Sequence, residues 1–406
     1  MDYSAKTIKK GYSLTLNACF IGYIAQAVVN NFVSLLFVTF QQGYDIPLSR
    51  ITVLITVNFA VQLIVDVLSA KLIKKIGYRT AAVTAHACCA GGLALLAFLP
   101  EAMPDPFTGI LIAVFVYALG GGLIEVIISP IAEACPTKNK EKTMSILHSF
   151  YCWGHVGVVL LSTLFFRIFG IENWKVLSWI WALVPLLNIL LFSVAPIYPL
   201  EGDGEKGLSV KQLFSMKIFW ALMIMMICAG ASEQAVAQWA SAFAEQSLGI
   251  SKTAGDLLGP MTFALTMGIS RAIFGAFGDK INLERFMVFS CILCIISYMC
   301  ISLVPVASVG LAGCALCGFS VGIMWPGTFS RSTVLIRKGG TSLFALLALA
   351  GDIGCAGGPA IAGFVSGVTG DNLKTGILAA VIFPAIMLAC FVFTVKRKKN
   401  EMPQHK

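Results

Sequence analysis

Residues 107–133 read FTGILIAVFVYALGGGLIEVIISPIAE, an apolar run whose only charges are Glu125 and Glu133. About 20 such residues, rising ~1.5 Å each in a helix, cross a hydrocarbon core of ~30 Å. With no water there to satisfy backbone groups, an open segment must close its own hydrogen bonds, and the run is too long and unbroken for a barrel strand. It therefore predicts a transmembrane helix. Eleven further runs of the same kind flank it, giving spans at 13–40, 50–73, 79–99, 107–133, 143–168, 174–196, 217–245, 252–275, 284–304, 307–333, 341–368 and 373–395. Across 406 residues the composition is 58% apolar and 12% charged, where soluble chains carry about 25% charge. The reading is an all-α membrane protein of twelve transmembrane helices with no room for a sizeable soluble domain. That excludes enzymes needing a water-exposed sheet and cofactor cleft, and leaves a pore, a carrier or an intramembrane enzyme.

The net charge of +9 is placed for a membrane surface and not for nucleic acid, since no basic stripe is interleaved with stacking aromatics. Lysines and arginines gather in alternate loops, in groups such as Lys71, Lys74, Lys75 and Arg79, or Lys396 to Lys399. The opposite loops hold only Arg50, Arg167, Lys175, Lys252 and Lys374. By the positive-inside rule both termini face the cytoplasm, which requires an even number of spans. Lys6, Lys9 and Lys10 run into a segment too long for a signal h-region, so no cleaved leader is expected.

One substantial hydrophilic stretch, Glu201 to Ser215, falls mid-chain. It divides the sequence into a six-helix bundle at 1–199, a cytoplasmic linker at 200–216 and a second six-helix bundle at 217–406. Each half repeats a basic loop after its second span, KLIKKIGYR at 71–79 and GAFGDKINLER at 275–285. Two similar halves with sites between them are the plan of many secondary carriers. A pore has no equal reason for the duplication.

Against this apolar background a mid-membrane carboxylate stands out, because ionised groups there cost on the order of 2.5–3.5 kcal/mol by insertion scales. Glu125 in span four, Glu233 in span seven and Asp352 in span eleven are the candidates for proton coupling or substrate hydrogen bonding; the competing reading is a structural carboxylate bonded to a neighbouring helix. Asp66 with Lys71, Lys75 and Arg79, and Asp279 with Arg271 and Arg285, have the residue types for charge locks that gate the cytoplasmic side. In span one Gln26, Asn30, Asn31 and Ser34 recur at helical spacing, as Gln234, Gln238 and Ser241 do in span seven beside Trp239. Span five adds His148 and Trp153, and span ten adds Trp325 before Pro326. Amides beside flat aromatic faces suit a polyhydroxylated or other uncharged polar ligand, although amides also join transmembrane helices.

Cys291-x-x-Cys294 with Cys314-x-x-Cys317 matches a zinc-ribbon spacing, but both pairs fall inside apolar spans and no metal is expected. His86 and His155 have no partner at ligand spacing and read as packing or solvent-pathway residues. Phosphate-loop, H-E-x-x-H and G-x-S-x-G motifs are absent, so an ATPase or intramembrane protease would lack its machinery.

These motifs together resemble the major facilitator superfamily, and within it the fucose/galactose/glucose proton-symporter family of sugar permeases. Asn30 and Asn31 leading to Phe40-Gln41-Gln42 are similar to that family's Asn-Asn…Phe-Gln-Gln run, and Lys71 to Arg79 to its form of the superfamily loop. Glu125 through Pro130 resembles its Glu-Thr-x-x-Asn-Pro signature, with Ser129 at the asparagine. Ile323-Met324-Trp325-Pro326 with Phe329-Ser330 resembles its span-ten motif. The resemblance implies a twelve-helix carrier in which Glu125 matches the cavity glutamate that handles sugar and proton. Ser34 stands where the sugar permeases can carry a coupling aspartate, and His148 where they carry a glutamine, so Glu233, Asp352 or His148 is expected to take part in coupling.

The expectation is a proton-coupled symporter of a small polar solute, of the sugar class, working by alternating access. It is expected to act in the cell membrane as a monomer without a cofactor, and not as an enzyme. A proton-coupled exporter of drugs or metabolites would share the architecture.

Overall fold

The computed structural model describes residues 5–137, 140–198, 208–277, 281–336 and 339–401. Among them the regular structure is helical throughout, with no strand. Twelve helices are long and apolar enough to cross a membrane. In the first half they are α1 (Tyr12–Tyr44), α2 (Leu48–Ser69), α3 (Lys75–Ala102), α4 (Pro106–Ala134), α5 (Ile146–Phe169) and α6 (Ile171–Val194). In the second they are α7 (Lys217–Ser247), α8 (Lys252–Phe274), α9 (Leu283–Leu303), α10 (Ala307–Leu335), α11 (Ser342–Val368) and α12 (Leu373–Thr394). Their ends fall within a few residues of those expected from apolar run lengths. The chain forms two compact units, Met1–Gly202 and Asp203–Lys406, each holding six of these helices.

The basic segment after α2 is more ordered than a loop. Helical backbone runs from Leu48 to Ala102 and departs from helical angles only at Gly77, with φ 78° and ψ 159°. Only glycine adopts that conformation without strain, so Gly77 turns the chain between two spans without a longer connector. Near the linker, Val210–Phe214 forms a short helix started by a capping box between Ser209 and Gln212.

Small residues set how closely helices approach. In the first unit Gly122 of α4 lies against Gln62 and Val65 of α2, and a Cβ there would come 2.9 Å from the Gln62 Cα. In the second, Gly230, Gly354 and Gly358 let α7 and α11 pack backbone to backbone. Buried polar groups tie the rest. Asn188 of α6 donates to the Ala18 carbonyl at 3.0 Å and lies 2.8 Å from His86 Nε2. The other ring nitrogen, Nδ1, sits 2.7 Å from the Ala82 carbonyl, a pattern that fits a neutral imidazole donating there and accepting from Asn188. His86 is thus a packing tie, and His155 is likewise buried. All thirteen cysteines are free thiols, with both Cys-x-x-Cys pairs buried in α9 and α10.

One arginine in each unit ties onto that unit's last helix. Arg79 donates to the carbonyls of Phe192 and Ala195, both at 2.8 Å, and to that of Ser193, where a cation complements the exposed C-terminal carbonyls of α6. Arg331 pairs with Glu284 at 2.7 Å and donates to the Thr394 carbonyl of α12, within a helical stretch that runs on to Glu401, at 3.1 Å. Two of the arginines expected in charge locks have other partners among the described residues. Arg79 is occupied by α6, and among the described residues Lys75 forms no ion pair with Asp66. In the second unit Arg271 turns inward, and Asp279 lies outside the described residues.

Candidate functional site

Among the described residues α1, α7 and α10 interrupt their ladders near polar residues; α8 at Leu257–Met261 and α12 between Ala379 and Ile382 are interrupted elsewhere. In α1 the α-helix ends at Asn31 and a 3-10 turn, Val33–Leu36, precedes a new helix at Phe37. In α7 regular helix stops at Ala237, and a π-helical turn follows at Phe243–Ser247. In α10 the break falls between Val321 and Met324. Such interruptions often mark working positions in membrane carriers.

In the first unit, one face of α1 carries Tyr23, Gln26 and Asn30, and each meets a different helix. Tyr23 Oη lies 2.8 Å from Ser129 Oγ of α4, with the His148 ring of α5 centred 5.5 Å away. Gln26 Nε2 donates to Glu125 Oε2 at 3.0 Å. Asn30 Oδ1 accepts from Gln62 Nε2 at 2.7 Å and Asn58 Nδ2 at 3.3 Å, both on α2. A carboxylate oxygen of Asp66, on the same α2 stripe, lies within 4.8 Å of one from Glu125. Asp66 therefore lies beside the candidate proton carrier.

Tyr23, Asn58 and Gln62 were not singled out from sequence. The signal was there, since Asn58, Gln62 and Asp66 recur every four residues on one face of an apolar helix. Two expected contacts turn elsewhere. Asn31 Nδ2 donates to the Ala27 carbonyl at 2.9 Å, and Ser34 Oγ to the Asn31 carbonyl at 2.7 Å, so both serve the break in α1. Trp153, 51% exposed, shares a stripe with exposed Ile146, Leu160 and Leu164. At intervals of seven and four residues these form the apolar outer face of α5, which suits lipid. His148, five residues earlier, lies on another face.

In the second unit, Glu233 of α7 pairs with Arg271 of α8 at 3.3 Å. Arg271 Nε also donates to the Gly322 carbonyl, in the break of α10, at 3.3 Å. Gln234 Nε2 donates to Glu233 Oε1 at 3.3 Å, and Gln238 Nε2 to Gln234 Oε1 at 3.1 Å, forming a short amide ladder. Trp239 is fully buried and its indole N–H donates to the Pro359 carbonyl at 3.0 Å, which makes it a strut between α7 and α11. Trp325 packs on Gly351, the residue before the buried Asp352, with Phe329 centred 6.3 Å from it.

A separate node closes the far end of α7. Lys252 Nζ reaches Asp256 Oδ1 at 2.7 Å, Ser241 Oγ at 3.0 Å and Glu245 Oε1 at 3.1 Å, so its three donors meet three oxygens. Asp256 is fully buried, consistent with a structural carboxylate.

The arrangement offers amides, hydroxyls and two carboxylates in the first unit, and amides with an ion pair in the second. A comparison with curated proteins finds no match. In fold the chain is similar to a bacterial homologue of the human lysosomal transporter Spinster, solved inward-facing and occupied, at 13% identity and a TM-score of 0.74 over 97% of this chain and 99% of that one. It is similar to the E. coli fucose:proton symporter FucP at 17% identity and a TM-score of 0.64, over 95% of this chain and 99% of that one. The nucleoside transporter NupG gives 13% identity and a TM-score of 0.73, over 94% and 99%. Identities this low speak for the fold alone. The model of the Major Facilitator Superfamily, however, matches residues 19–359, most of the length, and the chain belongs to that superfamily.

Proposed function

We propose that the chain is a secondary active transporter that carries a small polar solute of the sugar class by symport with protons. It would work by alternating access in the cell membrane, as a monomer with both termini in the cytoplasm. It would need no cofactor or metal and would act as a carrier, not an enzyme. The observation that carries this reading is the Gln26–Glu125 contact at 3.0 Å, set among amides on α1 and α2 and hydroxyls on α1 and α4. The amide that donates to Glu125 is neutral, so a proton on the carboxyl leaves no charge stranded on that partner. Asp66 strengthens the case: two like charges so close repel, and a proton taken up by either one relieves that repulsion. FucP, a fucose:proton symporter, and NupG, a nucleoside transporter, both of similar fold, are consistent with a polyhydroxylated cargo.

A ligand shifts a conformational equilibrium only through differential affinity, so solute and proton must each favour one orientation or an occluded form. The test is uptake into proteoliposomes with an imposed pH gradient, against a panel of neutral sugars and nucleosides. Glu125→Gln should lose gradient-driven accumulation while retaining part of solute counterflow. Wild-type accumulation in that variant removes Glu125 from coupling, and proton-driven efflux in place of uptake makes the protein an exporter.

A further inference from the structure

The polar face of α1 presents three side chains in successive turns, and the middle one is held differently from its neighbours. Tyr23 Oη pairs with Ser129 Oγ at 2.8 Å, and Asn30 Oδ1 accepts from Gln62 and Asn58 of α2. Gln26, between them, makes one hydrogen bond among the described residues, from Nε2 to Glu125 Oε2 at 3.0 Å. An amide carries its acceptor oxygen and its donor nitrogen on different sides of one plane, so with Nε2 on Glu125 the oxygen Oε1 points away from it. Among the described residues nothing donates to that oxygen. The side chain is nevertheless inside the bundle, at 4% exposure. The second unit closes the same arrangement: Gln234 donates to Glu233 at 3.3 Å, and its Oε1 accepts from Gln238 at 3.1 Å. A buried amide with one end unused carries a free-energy cost that a partner would remove, and for Gln26 the described residues supply none.

We infer that Gln26 is the residue through which proton and solute are coupled: Glu125 holds its amide while ionised, and a proton on Glu125 releases that amide to grip two adjacent hydroxyls of the solute. The inference rests on the transport reading above and assigns Gln26 its part within that site. An ionised carboxyl only accepts hydrogen bonds, so it holds the N–H end of the amide, and a bond to a charged oxygen is about twice as strong as one between neutral groups. A protonated carboxyl loses that advantage. The freed N–H then donates to one hydroxyl while Oε1 accepts from its neighbour, a two-point match to a vicinal diol. With Glu125 ionised, the same grip would take a donor away from a buried charge, which weakens binding. Proton and solute therefore favour each other, the sign that symport requires, and coupling of this kind is typically about 5–150-fold. The proton enters from whichever aqueous side is open and leaves with the solute on the other; no covalent bond of the solute changes.

In this unit α4 packs against α1, α2, α3 and α5. Among the described residues, the ionisable side chains those helices carry near the level of Glu125 are Tyr23 on α1, Asp66 on α2, His86 on α3, and His148, Tyr151 and Cys152 on α5. His86 is tied between Asn188 and the Ala82 carbonyl. Tyr23, fixed to Ser129 one turn along α4 from Glu125, keeps α1 and α4 in the register that brings Gln26 to the carboxyl. Changing Glu125 alone separates its contribution to any pH dependence from theirs.

The experiment measures binding of galactose, glucose, ribose and uridine to the purified full chain by thermal shift, at about pH 5.5 and about pH 7.5. In wild type the solutes that bind should do so about five- to tenfold more tightly at the lower pH. Gln26→Met, of similar length without donor or acceptor, should bind them more weakly at the lower pH and with less than about twofold dependence on pH. Glu125→Gln, neutral at both, should show as little dependence, at an affinity near that of wild type at the lower pH. Among single-deoxy forms of a bound solute, one should bind wild type at least about fivefold more weakly than its parent and Gln26→Met no more weakly, because the hydroxyl it lacks is the one the amide grips. Gln26→Asn, an amide one methylene too short, should behave as Gln26→Met and replaces it if that variant does not fold. Without solute, the infrared carboxylate band that Glu125→Gln removes should be shifted in Gln26→Met. A wild-type pH dependence in Gln26→Met, or no deoxy form with the stated pattern, overturns the coupling role. An unmoved band also overturns it, while the transport reading stands. Binding of no solute in the panel overturns the sugar-class reading and this inference together.

Discussion

The α7–α11 seam permits a prediction with its own internal control. At Gly354 a Cβ would sit 2.8 Å from the Ile227 carbonyl carbon and 2.9 Å from the Ala231 nitrogen, and nearer still to the Ile227 oxygen. Ordinary contact begins near 3.4 Å, so Gly354→Ala requires the two backbones to part by roughly 1–1.5 Å, against neighbours that are main chain and cannot rotate away. Overpacking of this sort costs about 1–3 kcal/mol. In a unit of about 200 residues each kcal/mol moves the midpoint by roughly 2–4 °C, so thermal unfolding of purified protein should fall by about 2–12 °C. Gly357, three residues on in the same helix, has nothing within 4 Å of its would-be Cβ. There the same change removes only the conformational freedom of glycine and should be neutral or stabilising by about 0.5–1 kcal/mol. Opposite signs at Gly354 and Gly357 are expected. Equal shifts at the two positions would refute the claim that main-chain proximity, and not helix propensity, dictates glycine in this seam.

Three other outcomes can be checked alongside. Asn30→Ala and Gln62→Ala share one hydrogen-bond cluster, so the double variant should lose less stability than the singles added together, with a coupling of about 0.5–3 kcal/mol in a thermal double-mutant cycle. Arg331→Gln should destabilise by about 1–3 kcal/mol, below the ~3–5 kcal/mol of a fully buried pair, because Glu284 keeps 35% exposure and can be hydrated; chemical or thermal unfolding of the variant measures this. Trp153→Leu, on the apolar outer stripe of α5, should leave solute counterflow within about twofold of wild type, since surface apolar swaps change stability by no more than about 0.5 kcal/mol.

How much of this was legible beforehand follows from which forces act locally. The twelve helices could be read from run lengths because the bilayer imposes a minimum span on every segment independently. Glu125 could be singled out as a candidate for the same reason: an ionisable residue in a run like 107–133 has no local excuse. Partnerships were less so. Asp66, near a span end and followed by lysines, reads as a surface lock; only the packing of α2 against α4 brings it to Glu125. Arg271 reads as a gate residue because span ends tolerate cations, and nothing in the string says its side chain turns inward. Trp239 and Trp153 look equally able to stack on a ligand. One is locked onto Pro359 and the other lies on the outer stripe, a difference set by which face neighbouring helices cover.

The interruptions in α1 and α7 have a mechanical consequence. An intact helix resists bending because changing its axis stretches carbonyl-to-amide links along one side. At Val33–Leu36 and at Gln238–Trp239 that regular spacing is already given up, and nearby groups bond locally instead, as Ser34 does to the Asn31 carbonyl. The first helix of each bundle thus carries a ready-made crease, one turn or less beyond its amide-rich segment, at which the angle between its two limbs can change while the hydrogen bonds on either side stay whole.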